Sequence, residues 1–252
     1  MNLFKRNTST LPDPAGAAID LDTMRHRAPD LVNLYKTAAV SLTKASLNTQ
    51  RAAVHLVLDH SGSMSNLYAN GAVQHLTEQT LALAANLDDD GTVPVTFFHD
   101  RAYESMDAVI GSHQGVVDRM RRQAGVTWGG TNYAPAMQCV INEHQQGGTN
   151  LPTFVIFQTD GKCNDRPATE KLLRDTSRLP IFWQFLGFGE HGSNEFQFLR
   201  GLDTLSGRTV DNAGFCATGR NPKSLPDQHL YDLLLNEYPA WLIAARNAGV
   251  IS

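Results

Sequence analysis

Two kinds of apolar pattern alternate along this chain. Short, nearly continuous apolar runs occur in "AAVHLVLD" (52–59), "VPVTFFH" (93–99), "LPTFVIFQTDG" (151–161) and "PIFWQFLGFG" (180–189). Runs of that length predict strands covered on both sides. "AYESMDAVI" (102–110) is expected to pair with 93–99, and "GRTVDNAGF" (207–215) to form a short edge strand. Between the runs, apolar positions recur at helical spacing. Leu31, Leu34, Tyr35 and Leu42 do so before the first strand, and "NLYANGAVQHLTEQTLALAANL" (66–87) reads as one amphipathic helix. Further helices are predicted over 115–124, from Tyr133 to Gln145, and over 167–179, 195–205 and 227–250, the last kinked or broken at Pro239. Strands alternating with amphipathic helices predict an α/β fold, a mostly parallel sheet with helices on both faces.

Residues 1–24, rich in Pro, Thr, Ser, Gly and Ala at their start and without periodicity, are expected to be a flexible tail, and 25–252 a single domain. The chain of 252 residues is 42% hydrophobic and 18% charged, ordinary for a globular protein with a filled core. A net charge of -4 argues against nucleic acid as a partner, and Arg119, Arg121 and Arg122 read as a solvated helix face. Cys139, Cys163 and Cys216 form no CxxC pair, so neither a disulfide framework nor a zinc motif is expected, and a reducing compartment is. Lys5 and Arg6 are followed by "NTSTLPDPAG" rather than an apolar signal segment, and no apolar run approaches the roughly 20 residues that cross a bilayer. The expectation is a cytoplasmic protein without membrane partners.

Candidate chemistry collects where strands end. Ligands of open parallel sheets bind at the carboxyl ends of strands, near the point where strand order reverses. Asp59, Ser61 and Ser63 follow the first strand; Thr131 follows Gly129 and Gly130; Asp160 ends another strand. These are oxygen donors only, which suits Mg²⁺, or Mn²⁺ in its place. Taken alone, Asp59, Ser61 and Ser63 serve equally well as cap and turn for the next helix. The run Asp88, Asp89 and Asp90 lacks the spacing of a calcium loop, and His55 reads as a core histidine.

"DHSGSM", "GGT" and "TDG", in this order, resemble the elements of the metal-ion-dependent adhesion site of von Willebrand factor A (vWA) domains. "LVNLYKTAAVSL", "LDDDGTVPVTFFHD" and "FLRGLDTLSGRTVDNAGF" are similar to the bacterial tellurium-resistance subgroup. The resemblance implies a doubly wound, Rossmann-like sheet of about six strands, one of them antiparallel. It carries Asp59, Ser61, Ser63, Thr131 and Asp160 over as the metal site, the hydroxyls touching the ion and the aspartates acting through water. It further implies a binding module, not an enzyme, in which an Asp or Glu of a protein partner, supplied in trans, completes the coordination of Mg²⁺. The setting it suggests is tellurium resistance or a related stress response. Trp128, directly before the glycines, reads either as a partner contact or as a buried loop anchor. A Mg²⁺-dependent phosphatase or phosphotransferase is the alternative, although Ser61 stands where a haloacid-dehalogenase-type enzyme needs a second Asp and no phosphate loop occurs. A serine hydrolase is disfavoured because "HSGSM" lacks the G-x-S-x-G elbow.

Overall fold

In the computed structural model, which describes residues 14–148 and 151–252, the apolar runs form the sheet. The strands are β1 (Ala53–Asp59), β2 (Thr92–Phe98), β3 (Met106–Val109), β4 (Thr153–Thr159), β5 (Ile181–Gly187) and β6 (Ala213–Ala217), in the spatial order β3-β2-β1-β4-β5-β6. Every pair is parallel except β2 with β3. Strand order reverses between β1 and β4, where Leu56 lies between Val95 and Ile156. The reversal opens a crevice at the carboxyl ends of these two strands.

Alternation along the strands feeds two cores. Val54, Leu56, Leu58, Phe154, Ile156 and Phe182 pack with helices α1 (Leu21–Arg27), α2 (Val32–Lys44), α4 (Ala72–Leu87), α9 (Asp227–Leu234) and α10 (Tyr238–Asn247), a core that α5 (Val116–Gln123) also joins. Val57, Val155, Phe157, Trp183 and Phe185 pack with α6 (Tyr133–Gln146), α7 (Arg166–Thr176) and α8 (Gln197–Asp203). Pro239 sits in the first turn of α10, where a missing N–H costs nothing, and so separates α9 from α10 as expected.

Three expectations are corrected. The helix read over 66–87 is two, α3 (Ser65–Ala69) and α4, because Gly71 adopts φ +79° and the Asn70 side chain accepts the Ala72 N–H at 3.0 Å. The edge strand lies at 213–217 because the residues before it are pinned to the neighbouring helix. Thr209 N–H donates to Ser177 Oγ (2.8 Å), and Asn212 Nδ2 donates to the Leu173 carbonyl (3.1 Å). The stretch read as a tail to residue 24 is docked from Ala18. Ala18 and Ile19 donate to the carbonyls of Asn86 (3.1 Å) and Ala85 (2.9 Å), Ile19 is buried, and Asp20 caps α1 through the Thr23 N–H (2.7 Å). Residues 1–13 of that expected tail lie outside the described residues.

Candidate metal centre

The first loop begins where β1 delivers Asp59 to the crevice, fully buried. Its carboxylate accepts the Ser61 N–H on one oxygen and the Thr159 hydroxyl on the other, each at 2.7 Å. The first bond folds the chain back on itself, as an aspartate does in a tight turn. Ser61 is buried, Ser63 is exposed, and their hydroxyl oxygens stand 3.2 Å apart.

The second loop, between α5 and α6, is drawn against the first. Gly62 N–H donates to the Gly129 carbonyl at 3.1 Å, and Gly130 N–H donates to the Asp100 carboxylate at 2.9 Å. Gly129 is required by crowding: a Cβ there would lie 2.5 Å from Nδ1 of the buried His99 ring, whereas one on Gly130 would meet the exposed end of the Asp100 side chain. The result is a buried Thr131 immediately before α6.

The third loop follows β4. Asn164 N–H donates to the Thr131 carbonyl at 2.9 Å, and Asp165 accepts the first N–H groups of α6, from Tyr133 (2.8 Å) and Ala134 (2.9 Å). With the Thr159–Asp59 bond, each loop is tied to both of the others. The fold therefore brings Asp59, Ser61, Ser63, Thr131 and Asp160 to one end of the sheet, on a closed triangle of hydrogen bonds.

The electrostatics of this triangle are unbalanced. Burial pushes the Asp59 carboxyl up to about 7, and the Asp160 charge nearby adds to the push, against the hydrogen bonds from Thr159 and Ser61. Asp160 Oδ1 is itself buried with no hydrogen-bond partner. An unpaired buried carboxylate oxygen beside a second buried carboxylate is costly, and a cation would relieve both. The donor set fits a small hard ion. Adjacent ligands of an octahedral Mg²⁺ at about 2.1 Å stand about 3.0 Å apart, close to the separation of the two serine hydroxyls. Among the described residues no cluster of three or more His, Cys, Asp or Glu is placed to hold a metal, so any site here depends on the hydroxyls.

Several residues that position this site carry no clear signal in the sequence. Thr159 is one, and Asp165 is another, a helix-start residue whose carboxylate caps α6 rather than its own helix. His60, at the variable position between Asp59 and Ser61, is buried against Trp128. Trp128 retains 44% of its surface and so is not a buried anchor. His55 is a core residue as read: its Nε2 lies 2.8 Å from Thr96 Oγ1, and burial pushes its pKa down to about 3.

Comparison with known proteins gives consistent matches. Residues 51–251 match the family model vWA-TerF-like, described as the vWA found in the TerF C terminus. The uncharacterized protein YcbR of Bacillus subtilis (strain 168) is 34% identical over 220 residues, covering 86% of this chain and 88% of that protein. The SpRpn10 VWA domain superposes with a TM-score of 0.51 at 11% identity, over 74% of this chain and 95% of that domain. Proximal thread matrix protein 1 of the mussel byssus superposes with a TM-score of 0.50 at 15% identity, over 75% of this chain and 48% of its own length. These structural likenesses concern the fold alone. No helix among the described residues is long and apolar enough to cross a membrane.

Proposed function

The chain belongs to the family of vWA domains found at the TerF C terminus, and from that premise we propose that it is a metal-dependent binding module. Ser61, Ser63 and Thr131 would hold Mg²⁺, or Mn²⁺ in its place, directly, with Asp59 and Asp160 acting through water. When bound, the ion supplies a Lewis-acidic position that a carboxylate of a protein partner completes. Neutral hydroxyl ligands leave most of the ion's charge uncompensated, which favours an anionic final ligand.

The observation that carries this reading is the buried, unpartnered Asp160 oxygen beside the buried Asp59 carboxylate. The same burial weighs against a phosphatase. A nucleophilic aspartate needs an oxygen open to in-line attack, whereas both Asp59 oxygens accept hydrogen bonds and the residue is wholly enclosed. A cytoplasmic role in tellurium resistance or stress response is the setting we propose, supported by the family resemblance alone.

Calorimetric titration with Mg²⁺ tests the reading. The full chain should bind one ion, gaining about 2.7 kcal/mol of unfolding stability at a hundredfold excess over Kd. Asp59→Ala and Thr131→Val should each abolish that gain. An unchanged Mg²⁺ response in both variants contradicts the proposal.

A further inference from the structure

Beside the metal loops lies a packed ledge of aromatic rings and cationic side chains. The Trp128 indole stacks on the His60 imidazole, ring centres 3.7 Å apart and planes inclined by 15°. Tyr68 meets both rings edge-on, at 4.8 Å from His60 and 5.5 Å from Trp128. The Arg121 guanidinium lies 5.3 Å from the Tyr68 ring centre and 5.6 Å from that of Trp128, within cation–π range of each.

Hydrogen bonds hold this group in one arrangement. His60 Nδ1 lies 2.9 Å from the Thr127 carbonyl, so that nitrogen carries the proton, and Nε2 faces Arg121 Nη1 at 3.4 Å. Tyr68 donates to the Asp59 carbonyl at 2.9 Å, which ties the ledge to the residue that ends β1. Trp128 is joined to the metal loops through Gly129, whose carbonyl accepts the Gly62 N–H. Trp128 and Ile243 are the large apolar side chains exposed among the described residues, and Trp128 is the one fixed beside the site. An indole already immobilised gives up little rotamer entropy when a partner covers it.

Charge around the ledge indicates what covers it. The chain as a whole carries -4, yet Arg122, next to Arg121 in α5, and Lys162, two residues after Asp160, are both exposed. Neither Arg122 nor Lys162 has a carboxylate within ion-pair distance among the described residues. Of the acids nearby, Asp118 offsets Arg121 at 3.0 Å and Asp100 accepts from Gly130 N–H while keeping its charge, so the positive excess rests on Arg122, Lys162 and the ion proposed at the metal loops.

We propose that Trp128, backed by His60, Tyr68 and Arg121, is the second half of the binding surface, receiving an acidic partner segment whose large apolar side chain stacks on the indole beside the metal-bound carboxylate. The inference rests on the metal-dependent reading above and adds the partner's chemistry to it. A Trp backed by an Arg and enclosed by aromatic rings is the residue type that dominates interface energies.

The test uses the full chain with Mg²⁺ and short fluorescein-labelled synthetic peptides followed by anisotropy. All carry a central Asp. One has Glu flanks and an adjacent Leu, the second replaces Leu by Gly, and the third replaces the Glu flanks by Lys. The Leu peptide with acidic flanks should bind best, and losing either feature should weaken it by about tenfold or more. Trp128→Ala should cost the Leu peptide a similar factor and cost the Gly peptide much less. That non-additivity locates the contact. Arg121→Gln provides a second variant and should also weaken the Leu peptide. Equal binding of the three peptides, or a Trp128→Ala variant that binds the Leu peptide as wild type does, overturns the proposal. If instead Trp128→Ala and the peptide changes act as predicted but chelation changes nothing, the ledge stands and the metal reading fails.

Discussion

Removing the Asp165 carboxylate should loosen the site without touching any group proposed to hold the ion. In Asp165→Ala, the Tyr133 and Ala134 N–H groups at the start of α6 lose acceptors at 2.8 and 2.9 Å. A hydrogen bond of this kind contributes about 1 kcal/mol net. An anionic side chain at a helix N-terminus adds up to about 1 kcal/mol through the helix dipole. The loss is therefore about 2–3 kcal/mol. For domains of this size each kcal/mol lowers Tm by about 2–4 °C, so scanning calorimetry should record a fall of roughly 4–12 °C. Thr131 stands two residues before Tyr133 and accepts the Asn164 N–H next to Asp165, so it borders the severed link, and Mg²⁺ affinity should fall while the stoichiometry stays at one. Asp165→Asn, which keeps an acceptor oxygen, should recover about half of the lost stability. A Tm within about 1 °C of wild type for Asp165→Ala refutes the claim that this residue ties the third loop to α6.

Two other perturbations bear on the account. Gly129→Ala places a methyl group 2.5 Å from Nδ1 of the buried His99 ring, and the displacement it forces should cost about 1–3 kcal/mol in urea unfolding and weaken Mg²⁺ binding. Glu237, half-buried beside β6, is raised to about 7, first by burial and then by the Asp203 charge. Its folded pKa lies above its unfolded one, so its favourable contribution is complete below the ordinary Glu range and is lost as pH rises through about 7. Glu237→Gln should accordingly raise Tm at pH 8 and leave it unchanged at pH 4, and the reverse pattern contradicts the assignment.

The sequence was most informative where a local pattern decides the structure. β1, β4 and β5 are apolar runs that a buried parallel sheet requires, and Asp59 and Asp160 are visible as the carboxylates that end or directly follow two of them. The break at Asn70–Gly71 leaves no mark in the pattern because the helical period continues across it, and only the left-handed glycine and the Asn70 cap interrupt the backbone. Ile19 and Asp20 read as tail because a single buried residue and a single cap make no periodic signal. At the site, the donors were legible in their order along the chain. Their supports were not: Thr159 reaches Asp59 across 100 residues, and Asp165 caps a helix that begins 32 residues before it. The stack of His60 on Trp128 depends in the same way on two loops meeting after the sheet has formed.

The most direct measurement is a crystal of the full chain soaked in Mn²⁺ and examined for anomalous scattering. The account predicts a single strong peak at the carboxyl end of β1 and β4, with the hydroxyl oxygens of Ser61, Ser63 and Thr131 each about 2.1–2.2 Å away. No peak between those three side chains at saturating Mn²⁺ contradicts it.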